Sequence, residues 1–473
     1  MADPEFDLLA IERGTISAPA GCGKTHLIAQ ALMRASVAKP ILVLTHTNAG
    51  VAALRGRLEG ANVNPRSYRL STIDGWAMRL VSTFPARSGA APNCLTLANP
   101  KTDYPNIRNA AFGLLKSGHI RDVIHASYSR LLVDEYQDCS LHQHGIVYCT
   151  AATLPSCLLG DPMQGIFGFQ GRLVDWATDV CAHFPLVGEL TTPWRWKNAG
   201  TESFGQWLLN VRKKLLAREA IDLRTAPSNV TWVHLDGTEN RKRQLKAAAT
   251  RAPDEGGSVL IIGDAINPAG QREFASQTPG AVTVESVDLR DLVTFAEKFD
   301  LSQPDAVNHV IDFAQSVMTN VGAAEMIRRV DSLRRGTARK AASEAEQAAL
   351  DFTTSPSHTS AGALLAEIGR QGGVRAHRPG VLQACLRTLR SCKEGEPNAL
   401  YEAAIRVREQ NRALGRSLPR RAVGSTLLLK GLEAEVAVIL NADALDAHNL
   451  YVAMTRSSKA LVVCSSNPIL QPR

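Results

Sequence analysis

The segment GTISAPAGCGKTHLIAQALMRA, residues 14–35, constrains the fold of this chain more than any other stretch. It begins with a short β-type run at residues 15–17, continues through a turn of small residues, and then takes on helical periodicity. Strand, glycine-rich turn and helix in this order are the context of a phosphate-binding P-loop. An ordinary glycine-rich turn between a strand and a helix is the alternative, but the GKT sequence followed by a helix argues against it.

The residue types in this loop suit the binding of a nucleotide. Gly21 and Gly23 let successive backbone amides converge on phosphate oxygens, and the start of the helix adds a partial positive charge. Lys24 is expected to reach the β- and γ-phosphates, and Thr25 to bind Mg²⁺ through its hydroxyl. The expected phosphate-binding set is Ala18, Gly21, Cys22, Gly23, Lys24, Thr25 and His26.

Two further apolar runs end in polar residues. ILVLTHTN, residues 41–48, is apolar at first, as a buried parallel strand should be, and ends in a polar cluster. LLVDEYQDCS, residues 131–140, ends in Asp134 and Glu135, which are suited to hold Mg²⁺ and to orient or deprotonate an attacking water. The carboxyl ends of parallel strands form the functional edge of an open sheet, so both ends are expected beside the P-loop.

A third apolar run, in SCLLGDPMQGIFGFQ at residues 156–170, is followed by Gln164 and two phenylalanines. The glutamine is in a position to sense a γ-phosphate. Phe167 and Phe169 are candidates for stacking on nucleic-acid bases, and a role in the hydrophobic core is the equally weighted alternative.

Length and composition limit the number of domains and the classes of protein to which this chain can belong. A chain of 473 residues is long enough for two to four domains. No apolar run approaches the roughly 18 residues of a membrane span, and no signal peptide opens the chain. The nine scattered cysteines form no CxxC pair, which indicates a cytoplasmic protein without a zinc or iron–sulfur site. The net charge of +8 permits a polyanionic partner without requiring one.

The motifs taken together resemble a known family. APAGCGKT, THTN, VDEYQD and GDPMQGIFGF occur in the order found in the ATPase half of UvrD/Rep-type superfamily 1A DNA helicases. LTTPWRWKN, STLLLKGLEAEVAVIL and LYVAMTRSSKALVVC are similar to motifs IV, V and VI of that family and extend the resemblance almost to the end of the chain.

The resemblance implies an α/β fold with two RecA-like P-loop domains, each built on a parallel sheet and each carrying a mostly helical insert. ATP would bind with Mg²⁺ in the cleft between these domains. The expected boundaries are 1–75 and 126–190 for the first RecA-like domain, 76–125 for its short insert, 191–287 and 419–473 for the second RecA-like domain, and 288–418 for its insert.

The resemblance also implies a role for particular residues. The catalytic set would be Glu135 as base, Gln164 as γ-phosphate sensor, and Arg195 and Arg456 as cations for the transition state. Asp134 and Thr25 would hold the metal ion. Trp194 would stack on the base of the nucleotide, with Gly431 and Glu433 also facing the nucleotide. The expected DNA-binding residues are Thr45, His46, Asn48, Trp76 and Phe169. The implied activity is ATP-dependent translocation on single-stranded or partly duplex DNA with 3′–5′ polarity.

The chain departs from the family pattern at several positions. No glutamine precedes the P-loop, so the preference for adenine is open. Asp74, Gly168, Gln170 and Leu427 replace residue types that are usual in the family, and the histidine usual at the position of Leu427 contacts DNA there. The residues expected to hydrolyse ATP are all present, whereas several of the residue types expected to bind DNA are missing. This combination predicts an active ATPase with weak or conditional unwinding.

A second interpretation uses the same ATPase residues differently. The chain would then be a DNA- or nucleotide-sensing regulatory subunit that controls a separate nuclease, as in anti-phage defence systems of the Gabija type, which contain short helicase-like chains. A basic cluster within residues 328–340 is suited to a duplex or a protein partner, and a solvated helix face is an equal alternative. Residues 353–362, TTSPSHTSAG, are expected to form a loop.

Overall fold

A computed structural model describes residues 5–35, 38–97, 99–168, 172–392, 398–413 and 419–472. The chain divides into two compact units. Unit 1 comprises Met1–Thr231, Asp443–Ala460 and Asn467–Arg473, and unit 2 comprises Trp232–Ala442 and Leu461–Ser466. The domain boundaries and the nucleotide cleft expected from the sequence stay predictions.

A six-stranded sheet forms the centre of unit 1. Its strands, in chain order, are β1 (Arg13–Ser17), β2 (Ile41–Thr45), β3 (Tyr68–Thr72), β4 (Leu131–Val133), β5 (Ser156–Gly160) and β6 (Leu186–Glu189). They lie side by side in the order β3-β2-β4-β5-β1-β6, and every neighbouring pair is parallel. β7 (Ile221–Asp222) and β16 (Ile469–Leu470) form a small antiparallel pair in the same unit.

The central strands of this sheet are buried on both faces. All five residues of β2 are buried, and their side chains alternate between two hydrophobic clusters. Leu42 and Leu44 belong to one cluster, and Ile41 and Val43 belong to the other. Alternation between two apolar layers explains why the strand reads as a continuous apolar run. The helices of unit 1 are α1 (Lys24–Arg34), α2 (Asn48–Gly60), α3 (Ile73–Thr83), α4 (Pro85–Ser88), α5 (Pro100–Lys116), α6 (Arg121–Ser127), α7 (Leu141–Ala151), α8 (Trp194–Asn198), α9 (Glu202–Leu216) and α20 (Ala447–Met454).

A second six-stranded sheet has the order β10-β13-β9-β14-β15-β8. Its strands are β8 (Val230–His234), β9 (Val259–Ile262), β10 (Val282–Thr283), β13 (Arg421–Gly424), β14 (Ala434–Ile439) and β15 (Ser457–Ser465). The pairs β10–β13, β13–β9 and β9–β14 are parallel. The two parallel α/β sheets confirm the fold class that the sequence predicts.

A helical layer with its own core completes unit 2. Its hydrophobic cluster extends from Leu289 to Val407 and includes Phe313, Phe352 and Ile368. The short pair β11 (Met318–Thr319) and β12 (Arg375–Ala376) is antiparallel. The helices of unit 2 are α10 (Asn240–Ala248), α11 (Pro268–Gln277), α12 (Arg290–Lys298), α13 (Ala306–Val317), α14 (Ala323–Arg334), α15 (Glu344–Thr354), α16 (His358–Arg370), α17 (Pro379–Ser391), α18 (Ala399–Ala413) and α19 (Thr426–Leu429).

Residues 353–362 differ from the expected loop. α15 extends to Thr354, and α16 begins at His358, so only three residues separate the two helices. Ser357 caps α16 in a capping box with Ser360, and this motif starts a helix within a run of small polar residues. The expectation of a loop over the whole segment is therefore wrong.

Candidate active site

The P-loop expected from the sequence has the local structure that its glycines allow. β1 ends at Ser17, and the amide of Ala18 donates to the Gly160 carbonyl at 2.7 Å, which ties the loop to the end of β5. Gly21 and Gly23 have φ of +73° and +86°, a backbone region that favours glycine. The chain then turns into α1, whose amino end faces back toward the loop. Amide groups at such a helix start form a natural anion site.

Lys24 lies beside both acids at the end of β4. Its Nζ is 2.5 Å from Glu135 Oε1 and 3.0 Å from Asp134 Oδ1. Burial alone would lower the pKa of Lys24, but the two carboxylates outweigh burial and raise this pKa above its ordinary value. Burial raises the pKa of Asp134, an effect that Lys24 opposes and Glu135 reinforces. The three side chains form one charged cluster built from α1 and the end of β4.

Hydrogen bonds continue from this cluster to the end of β5. Gln137 donates to Glu135 Oε2 at 2.6 Å, and its own amide oxygen accepts from the backbone N–H of Asp161 at 3.1 Å. Gln164 donates to Asp161 Oδ2 at 3.1 Å. Glu135 has a left-handed backbone, with φ of +55°, which is uncommon for a residue other than glycine and often marks a functional site. The Gln137 side chain thus couples the acids to the segment that carries Gln164.

Arg212 on α9 is the clearest residue that sequence reasoning missed. Its side chain donates to Asp161 Oδ1 at 2.9 Å, to Glu189 Oε2 at 2.8 Å and to Ser17 Oγ at 3.1 Å. It is 2% exposed and therefore joins the carboxyl ends of β1, β5 and β6 from inside unit 1. Burial would lower the pKa of Arg212, but Asp161 and other neighbours raise it above its ordinary value. The available signal was its place in an apolar stripe with Leu208, Val211 and Leu215.

Both arginines expected to act on the transition state lie in unit 1 beside this network. The Arg456 guanidinium donates to Gln164 Oε1 at 3.5 Å, and Arg456 is 3% exposed. The backbone N–H of Arg195 donates to the Gly21 carbonyl at 3.0 Å, and its side chain donates to the Thr455 carbonyl. The structure therefore brings Gln164, Arg195 and Arg456 to the same end of the sheet as the P-loop.

Aromatic side chains of α8 and α20 hold the P-loop in place. Tyr451, which sequence reasoning also missed, accepts a hydrogen bond from the backbone N–H of Ala20 at 3.1 Å. A Cβ added to Gly21 would lie 2.5 Å from the Trp196 ring, and one added to Gly23 would lie 3.0 Å from the Trp194 ring. Both glycines are therefore required by close approach as well as by backbone conformation. Trp194 keeps 36% of its surface exposed and remains accessible for stacking.

The other expected nucleotide-binding residues lie in the P-loop and α1 of unit 1 or in unit 2. Cys22 is buried, and burial together with Asp161 raises the pKa of its thiol to about 12, which makes it an inert packing residue at neutral pH. Thr25 and His26 lie in the first turn of α1. Gly431, with φ of +81°, and Glu433 lie in unit 2 just before β14, and their nucleotide-binding role stays a prediction.

The residues expected to bind DNA do not share one environment. Asn48 is exposed at the start of α2, and the His46 ring lies 5.5 Å from the Phe167 ring. Thr45 is 1% exposed. Trp76 lies on the buried face of α3 and is 2% exposed. We therefore assign it to the hydrophobic core of unit 1 instead of to a DNA-facing surface. Phe169 lies outside the described residues.

Asp74, one of the departures from the family pattern, has a clear structural role. It forms a two-point ion pair with Arg108 of α5, at 2.7 Å and 2.6 Å, and accepts from Gln143 of α7 at 3.1 Å. These contacts join α3, α5 and α7. The aspartate therefore stabilises the packing of three helices at this position.

The side chains near Lys24 also suit a magnesium ion. Mg²⁺ is usually held by one or two carboxylates together with substrate phosphates. Asp134 supplies a carboxylate and Thr25 a hydroxyl, both next to the loop that is shaped for phosphate. A nucleotide with Mg²⁺ therefore fits the residues present.

No helix within the described ranges has both the length and the apolar character of a membrane-spanning segment.

Two solved helicase structures are similar to this chain at low sequence identity. A search of curated proteins finds no match to the chain. Among solved structures, a Pif1 helicase from Candida albicans is similar over 99% of this chain and 96% of its own, at 10% identity and a TM-score of 0.40. An arterivirus nonstructural protein 10 helicase, solved with DNA, is similar over 95% of this chain at 10% identity and a TM-score of 0.34. This chain spans 60% of the arterivirus protein's length.

The sequence match is more specific than these structural similarities. Residues 96–180 match the model of the UvrD/REP helicase N-terminal domain. This range contains the two acids at the end of β4, together with Gln164 and Asp161 at the end of β5. Over this segment, the chain is similar to the UvrD-like helicases.

Proposed function

We propose that the chain is an ATP-dependent translocase or helicase that acts on single-stranded or partly duplex DNA with 3′–5′ polarity. One observation carries the ATPase part: the P-loop lysine, two adjacent acids, Gln164 and two arginines meet at one edge of a parallel sheet. This set contains each group that phosphoryl transfer to water requires.

The residues divide the work of hydrolysis. Lys24 and the loop amides bind the β- and γ-phosphates. Glu135 orients the attacking water and accepts its proton, while Arg195 and Arg456 stabilise negative charge in the transition state. When bound, Mg²⁺ held by Asp134 and Thr25 would neutralise charge on the phosphate oxygens. An arginine in the role proposed for Arg195 and Arg456 raises the rate by about 10³ to 10⁵ in other nucleotide hydrolases.

Gln164 is suited to couple hydrolysis to movement. It contacts Asp161 on one side and Arg456 on the other. The segment that follows it contains Phe167, whose ring lies near His46 at the start of the α2 region. A change at the γ-phosphate would thus be transmitted to residues expected to touch DNA. The polarity and the DNA substrate rest on the resemblance to the UvrD-like family.

The test is the ATPase rate with and without single-stranded DNA, measured for the wild type, for Glu135→Gln and for Glu59→Gln. We expect DNA to stimulate the wild type, and Glu135→Gln to lower the rate by about 10² to 10⁴ while nucleotide binding persists. Glu59, exposed near the end of α2, provides a matched control that keeps full activity. A rate that does not respond to DNA would contradict the translocase and favour the regulatory ATPase.

Polarity needs a separate measurement. A translocase that moves toward a biotinylated DNA end pushes off the streptavidin bound there, so the rate of streptavidin displacement reports the direction of movement. Faster displacement from the 5′ end than from the 3′ end would agree with 3′–5′ movement, and the reverse preference would overturn the polarity. Unwinding of long duplex at high processivity would contradict the weak, conditional unwinding predicted from the thinned DNA-binding set.

A further inference from the structure

A cavity of about 350 Å³ lies in unit 1 on the outer side of α9. Its walls are one face of α9, the strand β7 and the turn that follows β7. None of the residues proposed for ATP hydrolysis lines it. We call it the α9 cavity, and its polar and aromatic lining consists of Trp207, Asn210, Lys213, Lys214, Asp222 and Thr225.

The spacing along α9 explains why these side chains share a face. Trp207, Asn210 and Lys214 follow each other at intervals of three and four residues, which places them on neighbouring turns of one side of the helix. The neighbouring stripe, which includes Arg212, is buried against the sheet. The Trp207 ring packs nearly parallel to Phe204, with ring centroids 6.3 Å apart, so its orientation is fixed from the protein side.

The cavity carries net positive charge. Lys213 and Lys214 are exposed, and within the described residues neither side chain forms an ion pair or a hydrogen bond. The acid in the cavity wall, Asp222, is already paired with Arg224 through two hydrogen bonds of 2.9 Å and 2.7 Å. Its charge is thereby neutralised locally, while both lysines remain available to an anion.

We propose that the α9 cavity binds one nucleobase with its phosphate, the base stacking on Trp207 and the phosphate contacting Lys213 and Lys214. An aromatic ring next to mobile cations is the usual means of holding a base and its backbone without reading sequence. Asn210 adds an amide that can donate to and accept from a base edge. The cavity volume lies within the range of small-molecule sites.

A single strand and a free mononucleotide present the same chemistry to this cavity. The experiment therefore uses both ligands, without ATP, so that its outcome does not depend on the proposed translocase activity. Anisotropy of a fluorescein-labelled hexathymidylate measures strand binding to the full chain, and unlabelled dTMP serves as competitor. A protein that fails to hydrolyse ATP in a DNA-dependent way could still pass this test, and the reverse also holds.

The variants are chosen to separate stacking, charge and folding. Trp207→Ala removes the ring, and Trp207→Phe keeps an aromatic face. Lys213→Glu with Lys214→Glu reverses two exposed charges and leaves the core intact. The matched control is Lys101→Glu with Lys116→Glu, which makes the same charge change at exposed positions of α5.

We expect Trp207→Ala and the lysine pair each to weaken hexathymidylate binding about fivefold or more relative to the control pair. Trp207→Phe should keep most of the affinity, and the lysine pair should also flatten the dependence on salt. Displacement by dTMP identifies a mononucleotide site; resistance to dTMP identifies a strand site. If Trp207→Ala does not fold, Trp207→Leu, which keeps apolar bulk without an aromatic face, takes its place and should show the same loss. Affinities of all α9-cavity variants within twofold of the control, or loss in the lysine pair without loss in the variant that lacks the aromatic ring, would overturn the proposal.

Discussion

Lys24 Nζ and Glu135 Oε1 are 2.5 Å apart, which makes the P-loop lysine and the proposed general base direct ionic partners. Both residues also contact or adjoin Asp134, so three charges share a small, mostly buried volume. The protonation state of each residue depends on the charges of the other two, so a substitution at one residue changes the pKa values of the others.

Removing the lysine from this cluster should destabilise the protein. In Lys24→Met, two neighbouring carboxylates lose their common cation, and we expect the free energy of unfolding to fall by about 2 kcal/mol. This loss is below the roughly 3 to 5 kcal/mol of a fully buried pair because the Glu135 side chain is 33% exposed. Urea unfolding measures the change.

A double-mutant cycle isolates the interaction. Adding Glu135→Gln to Lys24→Met removes one of the two like charges and should recover part of the lost stability. Additive losses in the double variant would show that the contact between these two residues does not couple them energetically.

Arg212 should be among the most sensitive residues for stability. Arg212→Met leaves Asp161 and Glu189 without their shared cation inside unit 1, and we expect a loss of about 3 to 5 kcal/mol. Arg212→Lys should recover only part of this, because an ammonium group does not reproduce the planar guanidinium fork. Lys213→Met, at the exposed next residue, is the control and should change the urea midpoint little.

Gly21→Ala should damage the P-loop in two ways. The new Cβ would lie 2.5 Å from the buried Trp196 ring, and the backbone would keep a φ of +73° that alanine tolerates poorly. We expect nucleotide affinity to fall at least tenfold, about 1.4 kcal/mol, as measured by calorimetric titration. Gly56→Ala, in an open part of α2 where nothing lies within 4 Å, should bind nucleotide as the wild type does.

Combining Gly21→Ala with Trp196→Leu separates the two effects. The smaller side chain relieves the contact but leaves the backbone conformation unchanged, so recovery should be partial. Full recovery would mean that φ at this position contributes nothing, and no recovery would mean that the contact with Trp196 is unimportant.

His377 should make stability depend on pH in unit 2. Burial, followed by the charges of Arg378, Arg375 and Arg272, lowers the pKa of His377 from 6.5 to about 4. Between these pH values the unfolded chain binds a proton that the folded protein does not, so stability falls as the pH drops from about 6.5 to about 4. The contribution of this residue is about 3 kcal/mol over that window.

His377→Gln should flatten this part of the stability profile, as measured by urea midpoints at several pH values. His309→Gln, at a histidine whose side chain is 42% exposed on α13, is the control and should keep the wild-type slope. An unchanged slope in His377→Gln would assign the acid sensitivity to other groups.

Short-range sequence patterns were enough for much of the fold and for part of the site. The strands at residues 15–17, 131–133 and 156–160, the P-loop and the two acids followed from apolar runs, glycine positions and turn chemistry, which act over a few residues. The position of these residues at one edge of the sheet also followed, because parallel strands all end on the same side of their sheet.

Only the tertiary structure placed the residues that connect these elements. Arg212 reaches Ser17 across 195 positions of the chain, and Tyr451 reaches Ala20 across 431. Neither partner is encoded in local periodicity, since burial of an arginine or a tyrosine hydroxyl depends on which acceptors the folded chain supplies. For the same reason, the resemblance suggested DNA contact for Trp76, whereas its side chain is 2% exposed within a hydrophobic cluster that also contains residues of α5 and α7. The sequence determined which chemistry is present, and long-range packing decided which side chains hold it in place.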